Sequence, residues 1–209
     1  MKFTIVGMGP GHPDYVLPVA SRALENADLI IGGRRHLAPF EGSGKTLVQV
    51  EGQIMKLPEI IRENRENNKI VVAVSGDTGF YSLLSFMRRN FEETAFDVIP
   101  GISSLQYMYG RIGRVHQNSF VGSVHGRDLE FAKLVKEYET VGLLTDQKNT
   151  PSVIAQSLMN DQLDNVTMYV GERLSYDDEC ITKGQPSEIK DKQFDDLVVV
   201  ILERTENYG

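Results

Sequence analysis

The chain contains no tryptophan, a single cysteine and four histidines among its 209 residues. One cysteine, Cys180, excludes a disulfide framework and a cysteine-rich zinc site. The histidines, at positions 12, 36, 116 and 125, do not show the spacing of two metal ligands on one helix face, so the sequence predicts no metal centre. A reducing cytoplasm is the compartment we expect for a chain with so little cysteine.

Long apolar runs and an amino-terminal leader are also missing. The longest apolar run, residues 197–202, is far shorter than the roughly 18 residues that a membrane span requires. The chain opens with a strand-like segment at residues 3–6 rather than a charged and then apolar leader, so we expect neither a signal peptide nor a membrane partner. The net charge of −7 argues against a whole surface that binds nucleic acid.

Short apolar runs alternate with helical patterns in the first half of the chain. The most informative run, residues 70–74, leads into the loop Ser75-Gly76-Asp77-Thr78-Gly79 and then into a helical pattern over about 80–89. This alternation predicts a mostly parallel sheet with right-handed crossovers. A glycine-rich loop at the carboxyl end of a buried strand is where such sheets bind ligands.

The second half has a different rhythm. After two strands and two helices, three further strands follow one another at about 166–171, 179–182 and 197–203. Consecutive strands favour antiparallel pairs, so we predict a mixed sheet here. The polar connector near residues 110–114 is the candidate boundary. It divides the chain into two predicted α/β domains, residues 1–112 and 117–209.

Two glycine-rich segments resemble nucleotide-binding motifs but fail in detail. In the first, residues 7–12, His12 stands where the dinucleotide fingerprint has its third glycine, and Pro10 and Pro13 obstruct an immediate helix. The second, residues 42–46, ends in Gly-Lys-Thr but lacks the earlier glycine of a P-loop and leads into a strand pattern. We therefore expect neither a dinucleotide site nor a nucleoside triphosphatase. The three glycines at 7–11 still indicate a loop that approaches a ligand.

One stretch of the chain carries no acidic residue. The 30 residues from Val98 to Arg127 contain no Asp or Glu, although the chain has 29 of them and chance would place about four there. The stretch includes Arg111, Arg114 and Arg127 as well as two histidines. Local positive charge in an acidic protein indicates the handling of an anion, and an ordinary solvated connector is the alternative. Residues 34–36, Arg-Arg-His, form a second basic cluster.

Three of these segments, taken in order, resemble motifs of the tetrapyrrole methylases. They are residues 6–11 (Val-Gly-Met-Gly-Pro-Gly), 75–82 (Ser-Gly-Asp-Thr-Gly-Phe-Tyr-Ser) and 98–104 (Val-Ile-Pro-Gly-Ile-Ser-Ser). The resemblance continues through residues 144–151 and 171–179, so it extends over nearly the whole chain. It departs from the commoner family pattern at residue 78, where many relatives have proline and this chain has threonine, which lacks proline's fixed φ.

The resemblance implies two α/β domains with a cofactor cleft between them, in a homodimer. It implies S-adenosylmethionine as methyl donor, with S-adenosylhomocysteine as the product, and a small-molecule tetrapyrrole with many carboxylates as substrate. The segment at residues 171–176 and the short length most resemble members that methylate carbon 5 of precorrin-7 or cobalt-precorrin-7 in cobalamin biosynthesis. A separate decarboxylating methyltransferase would then act on carbon 15.

Roles for single residues follow from motif position. The resemblance implies cofactor contacts at Pro10, Gly76, Asp77, Phe80, Ser103, Ser104, Thr145, Asp146, Gly171 and Glu172. The basic stretches, together with a substrate rich in carboxylates, imply substrate contacts at Arg34, Arg35, Arg111, Arg114 and Arg127. No catalytic base can be assigned, and Tyr107 and His125 are only candidates for it. For Asp77 a structural role, in which it accepts backbone N–H groups of its own loop, is the alternative.

Two other functions stay open at this point. One is a different tetrapyrrole methylase, acting on another ring carbon or on uroporphyrinogen. The other is a non-catalytic protein that binds a small anion. Relatives that methylate diphthine or ribosomal RNA share the implied fold, and the acidic net charge argues against the RNA version.

Overall fold

The computed structural model describes residues 1–50, 52–125 and 129–204. The chain divides into two compact units, Met1–Ser103 and Ser104–Gly209. This division lies before the connector at 110–114 that the sequence predicts as the boundary, so residues 104–112, which the prediction assigns to the first domain, group with the second unit. Arg127, one of the predicted substrate contacts, lies outside the described residues.

The first unit is a parallel sheet flanked by helices. Its strands are β1 (Phe3–Gly7), β2 (Leu29–Gly32), β3 (Thr46–Gln49), β4 (Ile70–Val74) and β5 (Phe96–Ile99). Its helices are α1 (Pro18–Glu25), α2 (Arg34–Leu37), α3 (Leu57–Asn64) and α4 (Leu84–Asn90), with 3-10 turns at Pro13–Tyr15, Ala38–Phe40, Ile54–Lys56 and Glu93–Ala95. The strands pair in parallel in the order β3-β2-β4-β1-β5, which confirms the predicted sheet.

Side chains of this sheet are buried on both faces. On β1, Phe3 and Ile5 pack in the layer that contains α3 and α4, whereas Val6 packs in the layer that contains α1. Helix α1 contributes Ala20 and Leu24, which stand four residues apart on one helix face. Burial on both faces explains why β4 is apolar without interruption, because a strand covered on both sides has no solvent-facing position.

The second unit contains a mixed sheet. Its strands are β6 (Ser119–Ser123), β7 (Thr140–Leu144), β8 (Val166–Glu172), β9 (Cys180–Gly184) and β10 (Val198–Arg204), in the order β6-β7-β10-β8-β9. Its helices are α5 (Ser104–Arg111), α6 (Phe131–Glu137), α7 (Pro151–Asn160) and α8 (Pro186–Ile189). Strands β6 and β7 are parallel and the remaining pairs are antiparallel, so the predicted mixed sheet is confirmed.

Helix α5 packs on the sheet of the second unit, and this explains where the chain divides. Tyr109 is only 1% exposed, and its hydroxyl oxygen lies 2.9 Å from Thr140 Oγ1 on β7. Gly142 on β7 makes room for the ring, because a Cβ there would lie 3.1 Å from Tyr109 Cε2. Gly171 on β8 likewise faces Met108. The predicted connector at 110–114 therefore overlaps the end of a helix that already belongs to the second unit.

Helices α3 and α4 both begin after an irregular segment, and α4 begins later than the pattern over about 80–89 predicts. Residues Ile54–Lys56 form a 3-10 turn, and α3 begins at Leu57 with Pro58 in its first turn, where the missing N–H of proline costs nothing. Helix α4 begins at Leu84, after Tyr81, whose φ of 49° is incompatible with a right-handed helix. In the described part of the chain, no helix is long and apolar enough to cross a membrane.

The end of α7 offers a test of backbone strain. Gln162 is exposed and has a φ of 57°, a left-handed conformation that glycine adopts without steric cost. We expect Gln162→Gly to raise the free energy of unfolding by about 0.5–1 kcal/mol. The matched control is Gln156→Gly in the middle of the same helix, which should lower it by about 1 kcal/mol. Urea denaturation of both variants measures the two signs, and a loss of stability in Gln162→Gly would contradict the expectation.

Candidate functional site

The carboxyl ends of β1, β4 and β5 are neighbours, because β1 pairs with both other strands. The connections cross the sheet in opposite directions here, since the one after β1 leads towards β2 while the one after β4 leads to β5 on the other side. Open parallel sheets bind ligands at such a switch point, beyond the carboxyl ends of the strands. The loops that leave these ends are residues 8–11, 75–79 and 100–103, which are the segments singled out in the sequence.

Gly9 and Gly76 join the first two loops through their backbones. Gly9 N donates to Gly76 O at 3.2 Å, and Gly76 N donates to Gly9 O at 2.8 Å. Their φ angles are 73° and 62°, in the left-handed region that favours glycine. The bridge therefore depends on glycine at both positions.

Gly7 and Gly101 bring the third loop into backbone contact with the other two. A Cβ on Gly7 would lie 2.6 Å from Gly101 N and 2.7 Å from Gly76 O. A Cβ on Gly101 would press directly against the same carbonyl oxygen of Gly76. No side chain fits between these strand ends, so the three loops pack backbone against backbone.

Asp77 ties the second loop to the third with its carboxylate. Its Oδ1 accepts a hydrogen bond from Gly79 N at 2.8 Å, and its Oδ2 accepts one from Gly101 N at 3.2 Å. The structural role that the sequence left open for Asp77 is thus present. Each carboxylate oxygen can accept a further hydrogen bond, and the side chain is only half-buried, so Asp77 can support the loop and contact a ligand as well.

Thr78 occupies the position where many relatives have proline. It is 2% exposed, and its carbonyl oxygen accepts from Leu84 N, the first residue of α4, at 3.3 Å. A buried side chain and this hydrogen bond therefore hold the loop in place of a fixed proline φ. After it, the rings of Phe80 and Tyr81 pack edge to face with centroids 4.9 Å apart.

The other predicted cofactor residues of the first unit belong to the same loops. Pro10 and Phe80 are half-buried, and Ser103 is 6% exposed. Ser104 is the first residue of α5 and the first residue of the second unit. The structure therefore gathers Pro10, Gly76, Asp77, Phe80 and Ser103 at one edge of one sheet, as the order of the motifs predicts.

The predicted cofactor residues of the second unit also share one sheet edge. Thr145 and Asp146 follow β7, while Gly171 and Glu172 end β8. Both strands run antiparallel to β10 and place Leu144 and Gly171 opposite the same residue, Val199. The two segments therefore flank the start of β10.

A cavity of about 300 Å³ lies beside Asp146 in the second unit, and its lining includes Thr150, Lys192, Asp195 and Val198. Asp146 is itself held by its loop, because Oδ1 accepts from the backbone N–H groups that follow it at 148 and 149. Glu172 holds one part of the cavity wall in place, because its Oε1 accepts a hydrogen bond from the backbone N–H of Asp195 at 2.9 Å. Buried Thr145 also supports this edge by donating through Oγ1 to Val198 O at 2.6 Å.

Two of the predicted substrate arginines form ion pairs with acids from distant parts of the chain. Arg111 Nε donates to Glu179 Oε1 at 2.8 Å. Arg114 donates from Nε and Nη2 to the two carboxylate oxygens of Glu203, at 2.5 and 3.2 Å. Two arginines of the acid-free stretch are therefore paired with acids that lie 68 and 89 residues away along the chain, which the linear charge pattern does not reveal.

These ion pairs shift the pKa values of both acids. Burial alone would raise the pKa of Glu203, but hydrogen bonds from Arg114 and Tyr169 hold that pKa below its usual value. In Glu179, hydrogen bonds from the Ser175 backbone, Tyr107 and Arg111 likewise outweigh burial and lower the pKa. Both carboxylates therefore stay ionised at neutral pH and keep their arginines engaged.

The two candidates for a catalytic base have different surroundings. The side chain of half-buried Tyr107 hydrogen-bonds to Glu179. His125 is exposed, and its backbone N donates to Ser123 Oγ at 3.2 Å. Neither set of contacts identifies the residue as the base that removes a proton from the substrate. Among the described residues, no group of three His, Cys, Asp or Glu side chains is arranged to hold a metal ion.

Sequence reasoning missed a polar cluster at the edge of the first sheet. Arg35 Nη2 donates to Ser75 Oγ at 2.9 Å, and His36 Nε2 lies 3.1 Å from the same oxygen. Strands β2 and β4 pair in parallel, so helix α2 after β2 stands beside the loop after β4. The basic run at 34–36 was visible in the sequence, but its partner Ser75 is identified only by the strand order.

Comparison with known proteins assigns a family to this architecture. The sequence model of the family described as Tetrapyrrole (Corrin/Porphyrin) Methylases matches residues 2–190. The chain is also 32% identical over 201 residues to the cobalt-precorrin-7 C(5)-methyltransferase of Salmonella typhimurium, a match that covers 96% of this chain and 99% of that relative.

Solved structures share the fold. A precorrin-6Y methylase from Archaeoglobus fulgidus matches with a TM-score of 0.76 and 23% identity, over 98% of this chain and 99% of that one. A uroporphyrin-III C-methyltransferase from Thermus thermophilus, complexed with S-adenyl homocysteine, matches with a TM-score of 0.75 and 19% identity, over 97% of both chains. At these identities the structures show a common fold.

The close approach of the three loops predicts a strong effect of one methyl group. We expect Gly101→Ala to destabilise the protein by about 2 kcal/mol or more, because the added Cβ meets rigid backbone that has to shift. The matched control is Gly110→Ala in α5, where a Cβ meets no atom within 4 Å and where alanine should stabilise by about 0.5–1 kcal/mol. Urea denaturation compares the two, and equal stability of both variants would contradict the packing described.

Proposed function

Since this chain belongs to the tetrapyrrole methylase family, we propose that it transfers a methyl group from S-adenosylmethionine to carbon 5 of cobalt-precorrin-7 in cobalamin biosynthesis. The observation that carries this proposal is the 32% identity, over 96% of the chain, to a relative named for that reaction. The architecture supports it, because the two α/β units and their sheets match solved members of the same methylase fold.

The loops of the first unit fit the cofactor. Bound S-adenosylmethionine supplies an electrophilic methyl group on a positively charged sulfur. Glycine at positions 7, 76 and 101 lets the three loops pack backbone against backbone, at the carboxyl edge of the sheet where open parallel sheets bind ligands. Asp77 adds negative charge and unused acceptor positions within these loops. A polar ligand with a cationic centre suits this combination of backbone and carboxylate.

The cofactor contacts that we assign belong to two sets, one in each unit. In the first unit they are Pro10, Gly76, Asp77, Phe80 and Ser103, which share the loops after β1, β4 and β5. In the second unit they are Ser104 at the start of α5 and Thr145, Asp146, Gly171 and Glu172, the last four sharing one sheet edge. The support is the motif resemblance together with the clustering of the residues within each unit.

In this reaction the main contribution of the protein is to align the methyl group of the cofactor with carbon 5 of the substrate. The donor is already activated, and carbon 5 of a reduced tetrapyrrole is electron-rich, so the transfer needs geometry more than a strong base. Holding two reactants in a near-attack arrangement can supply about 7 kcal/mol or more. The hydrogen bonds between Gly9 and Gly76 and between Asp77 and Gly101 give the loops the rigidity that such positioning requires.

The wider setting that we propose follows the family resemblance. The substrate is a tetrapyrrole whose carboxylates contact arginines from the set Arg34, Arg35, Arg111, Arg114 and Arg127. The protein acts as a homodimer in the cytoplasm, and a separate decarboxylating methyltransferase acts on carbon 15. The Salmonella typhimurium relative supports the last point, because its name states only carbon 5.

A labelling experiment tests the proposed reaction. The protein is incubated with cobalt-precorrin-7 and S-adenosylmethionine that carries a carbon-13 methyl group, and the product is analysed by mass spectrometry and carbon NMR. We expect one labelled methyl group, attached to carbon 5. A parallel incubation with uroporphyrinogen III should stay unlabelled.

Two results would contradict the proposal in different ways. Label on another ring carbon, or on uroporphyrinogen, would assign the chain to another reaction of the family. Absence of label combined with no heat of binding for S-adenosylhomocysteine would favour the non-catalytic anion-binding function instead.

A further inference from the structure

The polar cluster of Arg35, His36 and Ser75 stands at the same sheet edge as the cofactor loops. Ser75 immediately precedes Gly76 and Asp77, and α2 brings Arg35 and His36 to it from the end of the neighbouring strand β2. Three polar side chains from two separate segments thus meet at one oxygen atom, Ser75 Oγ. Arg35 is already among the predicted substrate contacts, whereas Ser75 and His36 have no assigned role.

Arg35 differs from the other predicted substrate arginines in its charge balance. Arg111 and Arg114 are paired with Glu179 and Glu203. Arg35 is exposed. Among the described residues, its guanidinium donates to the neutral hydroxyl of Ser75 and not to a carboxylate. Its positive charge is therefore available to an anion from solution, at the same sheet edge as the loop of Gly76 and Asp77.

The geometry of the cluster suits a carboxylate. A guanidinium presents its N–H donors in a planar fork that binds both oxygens of a carboxylate. Because Arg35 can only donate, Ser75 Oγ is the acceptor in their hydrogen bond, and the Ser75 proton is left to point to His36 Nε2 or to a ligand oxygen. The bond to Ser75 also restricts Arg35 before binding, which lowers the entropy lost when a ligand is held.

We propose that Arg35 and Ser75, with His36 beside them, form an anchor for one peripheral carboxylate of the tetrapyrrole. The anchor is a positioning site: it fixes which part of the ring lies against the loop of Gly76 and Asp77, and it takes no part in bond making. The identity of the ligand rests on the proposed function, whereas the anchor itself rests on the exposed charge and on the hydrogen bonds of the cluster.

Binding measurements on the protein saturated with S-adenosylhomocysteine test the anchor. Cobalt-precorrin-7 is titrated and its visible absorbance followed. We expect Arg35→Gln to raise the Kd for the tetrapyrrole about tenfold or more, because a hydrogen-bonded charge is lost. Arg35→Lys should fall between wild type and Arg35→Gln, since the charge remains and the fork is lost. Ser75→Ala should weaken binding less than Arg35→Gln.

The controls separate the anchor from the cofactor site and from folding. Arg22→Gln changes an exposed arginine on α1 and should leave the Kd for the tetrapyrrole unchanged. The Kd for S-adenosylhomocysteine, measured by calorimetry, should stay within about twofold of wild type in Arg35→Gln. Circular dichroism confirms that each variant is folded.

Each outcome decides the inference. A folded Arg35→Gln variant that binds the tetrapyrrole as tightly as wild type would overturn the anchor. Weakened binding of S-adenosylhomocysteine instead would also overturn it, because the carboxylate at Arg35 would then belong to the cofactor. A different result is failure of the wild-type protein to bind or methylate cobalt-precorrin-7. That result would refute the proposed function together with the anchor.

Discussion

The contact between the carboxyl ends of β1, β4 and β5 is the constraint on which the site depends. Gly9 and Gly76 exchange two backbone hydrogen bonds, and Asp77 reaches across to Gly101 N. Glycine at position 7 permits this approach, because a Cβ would occupy the space of the neighbouring backbone. The consequence is a set of three loops held to one another at the switch point of a parallel sheet, with the Asp77 carboxylate among them, and this suits a reaction that relies on alignment.

The charge balance around the arginines of this protein depends on the fold and cannot be read from the linear sequence. Arg111 and Arg114 come from a stretch without acids, yet they are neutralised by Glu179 and Glu203. Ion pairs of this kind hold elements of the second unit together and leave less charge for a ligand. Arg35, next to a serine, keeps its charge accessible. This difference is the reason for proposing that the carboxylates of the substrate bind at the carboxyl edge of the first sheet.

The sequence predicted the parts of the structure that depend on neighbours in the chain. The buried run of β4 and the loop of Gly76 and Asp77 were recognised because strand period and glycine are local signals. The division of the chain falls before α5 and not after it, and this depends on Tyr109 meeting Thr140 on a strand far along the chain, which no local signal reveals. The Ser75 cluster was missed for the same reason, because only the order of strands brings α2 beside β4. The assignments of single residues to cofactor and substrate remain predictions.

The most direct test of this account is the affinity of Asp77→Asn for S-adenosylhomocysteine, measured by calorimetry. Asparagine has nearly the same shape, but an NH2 group replaces one of the two oxygens, so in the native side-chain position either Gly79 N or Gly101 N would face a donor and lose its acceptor. If the tied loops form the cofactor surface, the variant should remain folded and its Kd should rise about tenfold or more. Asp164→Asn, an exposed site in the second unit, should bind like wild type. A folded Asp77→Asn variant with the wild-type Kd would contradict the central role given to these loops.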